Sequence, residues 1–204
     1  MSRLPTSGTT IACMKPARST PSRYAQLRFL DAGMTVLADR GHAALKLAAV
    51  CEAAGASTGS FYHAFPSWPE FTSELIRYWR DVKSNRIIEA ARQVPDAADR
   101  LVSLIETGMT LPHATEAAIR VWAAHDPEVA RHQREVDAER RDVIAETYVE
   151  LLGDEELARQ YATTAMYLLV GYESGTLQSL DTLAFSFRAF VEQALGVSGD
   201  DAPR

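Results

Sequence analysis

The chain has 204 residues, of which 47% are hydrophobic and 24% charged, and its net charge is −6. Those proportions describe a water-soluble globular protein of one or two domains with enough apolar content for a sizeable core. They exclude a membrane-spanning chain, since no apolar run approaches the roughly 18 residues a span requires.

Residues 1–20, basic and interrupted by Pro5 and Pro16, read as a flexible arm, and the stretch to Ser22 lacks the apolar centre of a signal peptide. The first helix is expected from Ser22 to Arg40, with Leu27, Leu30, Met34, Leu37 and Ala38 on one face and Gly41 as its stop. A second follows, in which Leu45, Leu47, Ala48, Val50, Cys51 and Ala54 recur at helical spacing. Gly55 then supplies the positive φ of a tight turn, and Ser57 caps a short third helix ending near Phe65. On that helix Phe61 and Phe65 form an apolar underside, Tyr62 and His63 face outward, and Thr58 and Ser60 stand at its front. Gly55 to Gly59 spells the G-x-S-x-G of a hydrolase nucleophile elbow, but an elbow needs a strand before its serine. Here a helix precedes it. The elbow is excluded.

"FPSWPEF" opens a fourth helix, with Ser67 and Glu70 as a capping box and Pro69 in the first turn. Phe71, Leu75, Ile76 and Trp79 carry it to about Ala91. Pro95-Asp96 opens a fifth helix holding Leu101, Leu104 and Ile105, broken between Gly108 and Pro112. Ala117, Ala118, Val121 and Trp122 mark a sixth. Asp126-Pro127 starts a long seventh, through Val129, Val136, Val143, Ile144, Tyr148 and Leu151 to Gly153. The eighth covers Glu155 to Tyr172 and the ninth Leu183 to Leu195. No stretch alternates as a strand does. The expected fold is all-α with about nine helices: an arm over 1–20, a helix-turn-helix domain over 21–66, and a helical regulatory and dimerisation domain over 67–204.

Charge divides the same way. Residues 1–66 hold seven Lys/Arg against three acids, a net +4, which leaves −10 for the remainder. A basic segment with the order helix, glycine turn, short helix suits a DNA-binding module on an acidic body. Two cysteines, Cys13 and Cys51, distant in sequence, predict reduced thiols in a cytoplasmic protein, with Cys51 a packing residue.

With these elements in place, the chain resembles the tetracycline-repressor (TetR) family of transcription regulators. "FLDAGMTVLADRG" is similar to the family's first helix, and "LKLAAVCEAAGASTGSFYHAF" to its helix-turn-helix, with the Gly41-to-Gly55 interval as expected. "IRVWAAHDPEVARHQREVD" followed by "LLG" resembles the body of many members. The resemblance implies a homodimer on a palindromic double-stranded DNA operator, released by a small molecule bound in the C-terminal domain. Thr58, Gly59, Ser60, Tyr62 and His63 match positions of the recognition helix that touch DNA, and Lys46 matches one near the phosphates. Arg18 and Arg23 would add minor-groove or backbone contacts from the arm. The sequence departs from the family at Leu45, Ala64 and Trp68, where members often carry phosphate-binding Thr or Ser, His and Lys. Losing such contacts weakens the salt-dependent part of affinity.

In the body, Trp79, Met109, Trp122, His125, Tyr148, Met166 and Tyr167 are the expected ligand-binding set, forming an apolar pocket with phenolic handles. They suit an apolar or aromatic molecule, cations included, because an aromatic face attracts a cation and the body is acidic. Leu168, Gly171, Tyr172, Gly175, Phe187 and Val191 are the expected dimer interface, supplying area and close helix approach. The five histidines form no zinc-like spacing, and no carboxylate pair or nucleophile–base arrangement supports catalysis. No enzymatic activity, metal or cofactor is expected. An alternative to the repressor is a helical adaptor of the same fold whose DNA binding is weak or lost.

Overall fold

The structure, a computed structural model, describes residues 23–197. Its described residues form nine helices and no strand. In chain order these are α1 (Arg23–Arg40), α2 (Leu47–Ala53), α3 (Thr58–Ala64) and α4, which starts at Trp68. A single 3₁₀ turn, His42–Ala44, separates α1 from α2. Helix α4 is continuous but not uniform: Trp68–Tyr78 is α-helical, Trp79–Asn85 is π-helical, and Arg86–Arg92 is α-helical again. The body continues with α5 (Ala97–Thr110), α6 (His113–Ala123), α7 (Pro127–Leu152), α8 (Glu155–Ser174) and α9 (Leu180–Val197). The expected arm and Arg18 lie outside the described residues. None of the described helices is long and apolar enough to cross a membrane.

Local chemistry accounts for the boundaries. Asp96, Asp126 and Asp154 each accept two first-turn N–H groups, at 2.9–3.3 Å, so α5, α7 and α8 all begin on an aspartate. Pro127 occupies the first position of α7, where no N–H is missed. Gly153 ends that helix in the left-handed region at φ 69°, which only glycine enters freely. The Ser67 cap accepts the Glu70 N–H at 3.3 Å, but its hydroxyl donates to the Glu70 carboxylate, so the capping box is closed side chain to side chain. One boundary differs from expectation. Helix α5 runs through Gly108, which a helix interior tolerates at modest cost, and stops only at Leu111-Pro112, where the proline disfavours helical backbone in the residue before it.

The largest apolar core runs from Phe29 on α1 to Val136 on α7. At its centre Phe29, Phe61, Phe65, Phe71 and Trp68 form an aromatic cluster with neighbouring ring centroids 5.0–6.4 Å apart. Gly33 lets α1 approach α4 closely, since a Cβ there would sit 2.9 Å from Leu75 and 3.0 Å from Phe71. Smaller clusters around Tyr148, Leu169 and Val143 fill the body, in which α7 and α8 form the most extensive helix pair.

Candidate nucleic-acid interface and ligand cavity

The turn between α2 and α3 is built as its residues require. Gly55 stands at φ 56°, and Ser57 accepts the Ser60 N–H at 3.1 Å to start α3. Arg28 of α1 crosses to the turn, its Nε and Nη2 donating to the carbonyls of Ala54 and Gly55 at 2.8 and 2.7 Å. Phe61 and Ala64 are buried, and Phe65 just after α3 is buried as well, which leaves Thr58, Gly59, Ser60, Tyr62 and His63 exposed on a helix fixed from beneath. Lys46, the residue before α2, and Arg23, the first of α1, are exposed too. The three departures all serve packing: Leu45 and Ala64 are buried, and Trp68 lies in the aromatic cluster. Arg40 pairs with Glu52 at 3.1 Å on the surface. Cys51 is buried, which pushes its thiol up and suits a packing role.

The body contains two adjoining cavities of about 60 Å³ each, sharing Leu104, Gly108, Ile144, Met166 and Leu169. The first is closed by Tyr148, Phe187, Phe190 and Val191, the second by Ile87, Ile88, Leu111, Val143 and Arg140. Tyr148 and Met166 are therefore the expected ligand residues that line cavity wall. Burial and the neighbouring Tyr161 push the Tyr148 phenol up to about 12, so it stays neutral. Met109 packs alongside, in the cluster of Leu111, Leu169 and Phe187. Trp79 and Trp122 instead belong to the core shared with the helix-turn-helix, and Trp122 stacks on His42 at 5.3 Å. His125 is exposed before α7, and Tyr167 is 71% exposed because it follows the inward-facing Met166 and points the other way. The aromatic set is split between two places.

The expected interface residues divide as well. Phe187 and Val191 face the first cavity, and Leu168 and Tyr172 are half-buried against the Leu169 cluster. Gly171 is exposed. Gly175 is required by its own chain: a Cβ there would lie 2.7 Å from the Gly171 carbonyl oxygen. The apolar side chains left exposed on this side are Tyr167, Leu177, Leu180, Phe185 and Leu195.

A buried polar network, unannounced by any motif, borders the second cavity, whose lining includes its Arg140. Glu116 of α6 accepts from Trp79 Nε1 at 3.0 Å and from Arg140 Nη1 of α7 at 2.9 Å. Arg120 holds Asp137 through both Nη atoms at 2.9 and 3.0 Å, and Glu173 of α8 through Nε at 3.0 Å. Burial pushes the Glu173 carboxyl up, as does nearby Glu116, while Arg120 pulls it back. A second charged knot lies on α7, where the buried His132 ring has Arg80 Nη1 3.0 Å and Arg131 Nη2 3.1 Å from its two nitrogens. Burial and those two cations lower its pKa below the usual 6.5.

A pH dependence follows. The unfolded chain takes up a proton at this histidine that the folded chain refuses, so stability is present above about pH 6.5 and falls as the pH drops below it. His42, lowered mainly by burial, acts in the same direction. Urea midpoints measured from about pH 7.5 to 5 should decline, and His132→Gln should flatten that decline.

An exposed polar helix on a glycine turn, carried by a helical body with a cavity, has the architecture of a helix-turn-helix module joined to a second helical region. Residues 29–68 match the family model of bacterial regulatory proteins of the tetR family. The HTH-type transcriptional repressor KstR2 of Rhodococcus jostii (strain RHA1) is 27% identical over 108 residues, 52% of this chain and 53% of that protein. The chain thus matches about half the length of this curated relative. Among solved structures, a transcriptional regulator from Rhodococcus sp. RHA1 superposes with a TM-score of 0.71 at 21% identity, over 87% of this chain and 99% of that one. A regulator from Saccharomonospora viridis, solved with choline, gives 0.71 at 19% identity over 84% and 97%. FadR from Bacillus subtilis, solved with stearoyl-CoA, gives 0.60 at 16% over 83% and 97%. At these identities the structures establish a shared fold.

Proposed function

We propose that the protein is a ligand-responsive repressor of the cytoplasm, binding a palindromic DNA operator as a homodimer and leaving it when a small apolar molecule fills the body. The observation that carries this reading is the continuity of α4. Its first turns pack under the recognition helix through Phe71, whose ring lies 5.2 Å from that of Phe61, and its later residues Ile87 and Ile88 line a cavity. A ligand that prefers one position of α4 therefore biases the reading helix, as a two-state equilibrium requires. Two solved structures of this fold are complexes, one with choline and one with stearoyl-CoA, which supports a small-molecule effector. Exposed Tyr167 and Phe185 on α8 and α9 supply apolar surface for a two-fold partner. The dimer sets the two recognition helices about one DNA turn apart, roughly 34–36 Å, or more if it is wide.

Selection of bound sequences from a random DNA library, repeated across salt concentrations, tests the reading. A near-palindrome should emerge. Tyr62→Ala and His63→Ala should each weaken its binding by about 1–3 kcal/mol while changing affinity for random DNA little. No enriched sequence would overturn the repressor in favour of the adaptor, the reading that the packed positions Leu45, Ala64 and Trp68 favour.

A further inference from the structure

Arg120 and Arg140 are both largely buried arginines of the same network, and they are used unequally. Arg120 engages two carboxylates with all three of its nitrogens. Arg140 engages one carboxylate, Glu116, through Nη1, and reaches the Ser84 hydroxyl through Nη2 only at 3.5 Å. A guanidinium has five N–H groups in a fork whose edge matches a carboxylate. Arg140 lines the second cavity, whose other walls are nearly all aliphatic, among them Ile88, Val143 and Leu169. Arg140 is the one charged residue lining either of the two joined cavities. Donors facing an apolar space call for an acceptor, and a charged donor favours an anionic one.

Resting on the reading of the body as the effector site, we propose that the effector is an apolar monocarboxylate, its head on the free edge of Arg140 and its body running past Met166 into the first cavity. Arg120 shows within the same network that one buried guanidinium can carry two carboxylates. A ligand carboxylate would make Arg140 its equal, with Glu116 on Nη1 and the ligand on the remaining N–H groups. The shape agrees: the second cavity holds the cation, and the first is apolar apart from the neutral Tyr148 phenol. At about 60 Å³ each, the chambers must join and widen to take such a molecule, and flexible Met166, which lines both, is the side chain placed to yield. Sharing Arg140 loosens its grip on Glu116, and Glu116 holds Trp79 at the start of the π-helical part of α4. The signal thus enters the helix that carries the reading head.

The test uses the full chain and three probes of one chain length: sodium octanoate, octanamide and octyltrimethylammonium. Calorimetric titration should show octanoate binding at least about tenfold more tightly than octanamide, the difference between a charge-assisted and a neutral pairing, and the cation binding weakest. Arg140→Gln, with its helical content checked by circular dichroism, removes both the charge and the fork and should collapse the preference for the acid over the amide. Equal or tighter binding of octanamide or the cation would overturn the carboxylate assignment while leaving the effector site standing. Binding of none of the three would overturn both. Persistence of the wild-type acid preference in Arg140→Gln would remove Arg140 from the site.

Discussion

Phe61→Ala should cost about 3–5 kcal/mol of folding stability and remove DNA binding with it. Phe61 is wholly buried, with its ring 5.2–6.0 Å from those of Phe29, Phe65, Phe71, Trp68 and Tyr62. Truncation leaves a cavity that five large rings cannot close together, and such a loss is a large part of the roughly 5–15 kcal/mol that holds a domain folded. The neighbouring Tyr62→Ala separates packing from reading. Tyr62 is half-exposed, so its loss should change stability by no more than about 1 kcal/mol. Urea unfolding and operator titration on both variants check this. The first should fail both measurements, the second only the titration.

Glu116→Ala should be comparably severe, at about 3–5 kcal/mol, because it strands the buried Arg140 charge and leaves the Trp79 N–H without its acceptor. Glu116→Gln keeps an acceptor for Trp79 and loses only the charge pairing, so its urea midpoint should fall between wild type and the alanine variant. Equal stability of all three proteins would show that the pair is not a structural joint.

Features decided within a few residues were legible in the sequence. The Asp126-Pro127 start, the Ser57 cap, the Gly55 turn and the Gly153 stop each depend on one backbone position and its immediate chemistry, and all four stand as read. So does the buried underside of the third helix. The cavity was less legible. Helical spacing shows that Trp79, Trp122 and Tyr148 face inward, but not that the first two enter the core under the helix-turn-helix while only the third reaches the cavity. The same limit sends Phe187 and Val191 inward to the cavity wall and leaves Phe185 outside. Glu116 and Arg140 gave no signal. On long charged helices an acid and an arginine read as solvated surface, and only the crossing of α6 with α7 buries them together.

The core from Phe29 to Val136 has no seam at residue 66, where the sequence suggests one domain gives way to the next. Helices on both sides of that position bury their apolar faces in one another, so the reading head has no hydrophobic interior of its own to fall back on. The chain should therefore melt as a single cooperative unit, with one heat-absorption peak and no surviving half. Free energy supplied anywhere in the body is then shared by the whole. A ligand of the proposed effector site, present in excess of its dissociation constant, should raise the stability of the helix-turn-helix along with that of the cavity. On the proposed function, release from DNA would accompany a chain that is harder to unfold, not one that has come loose.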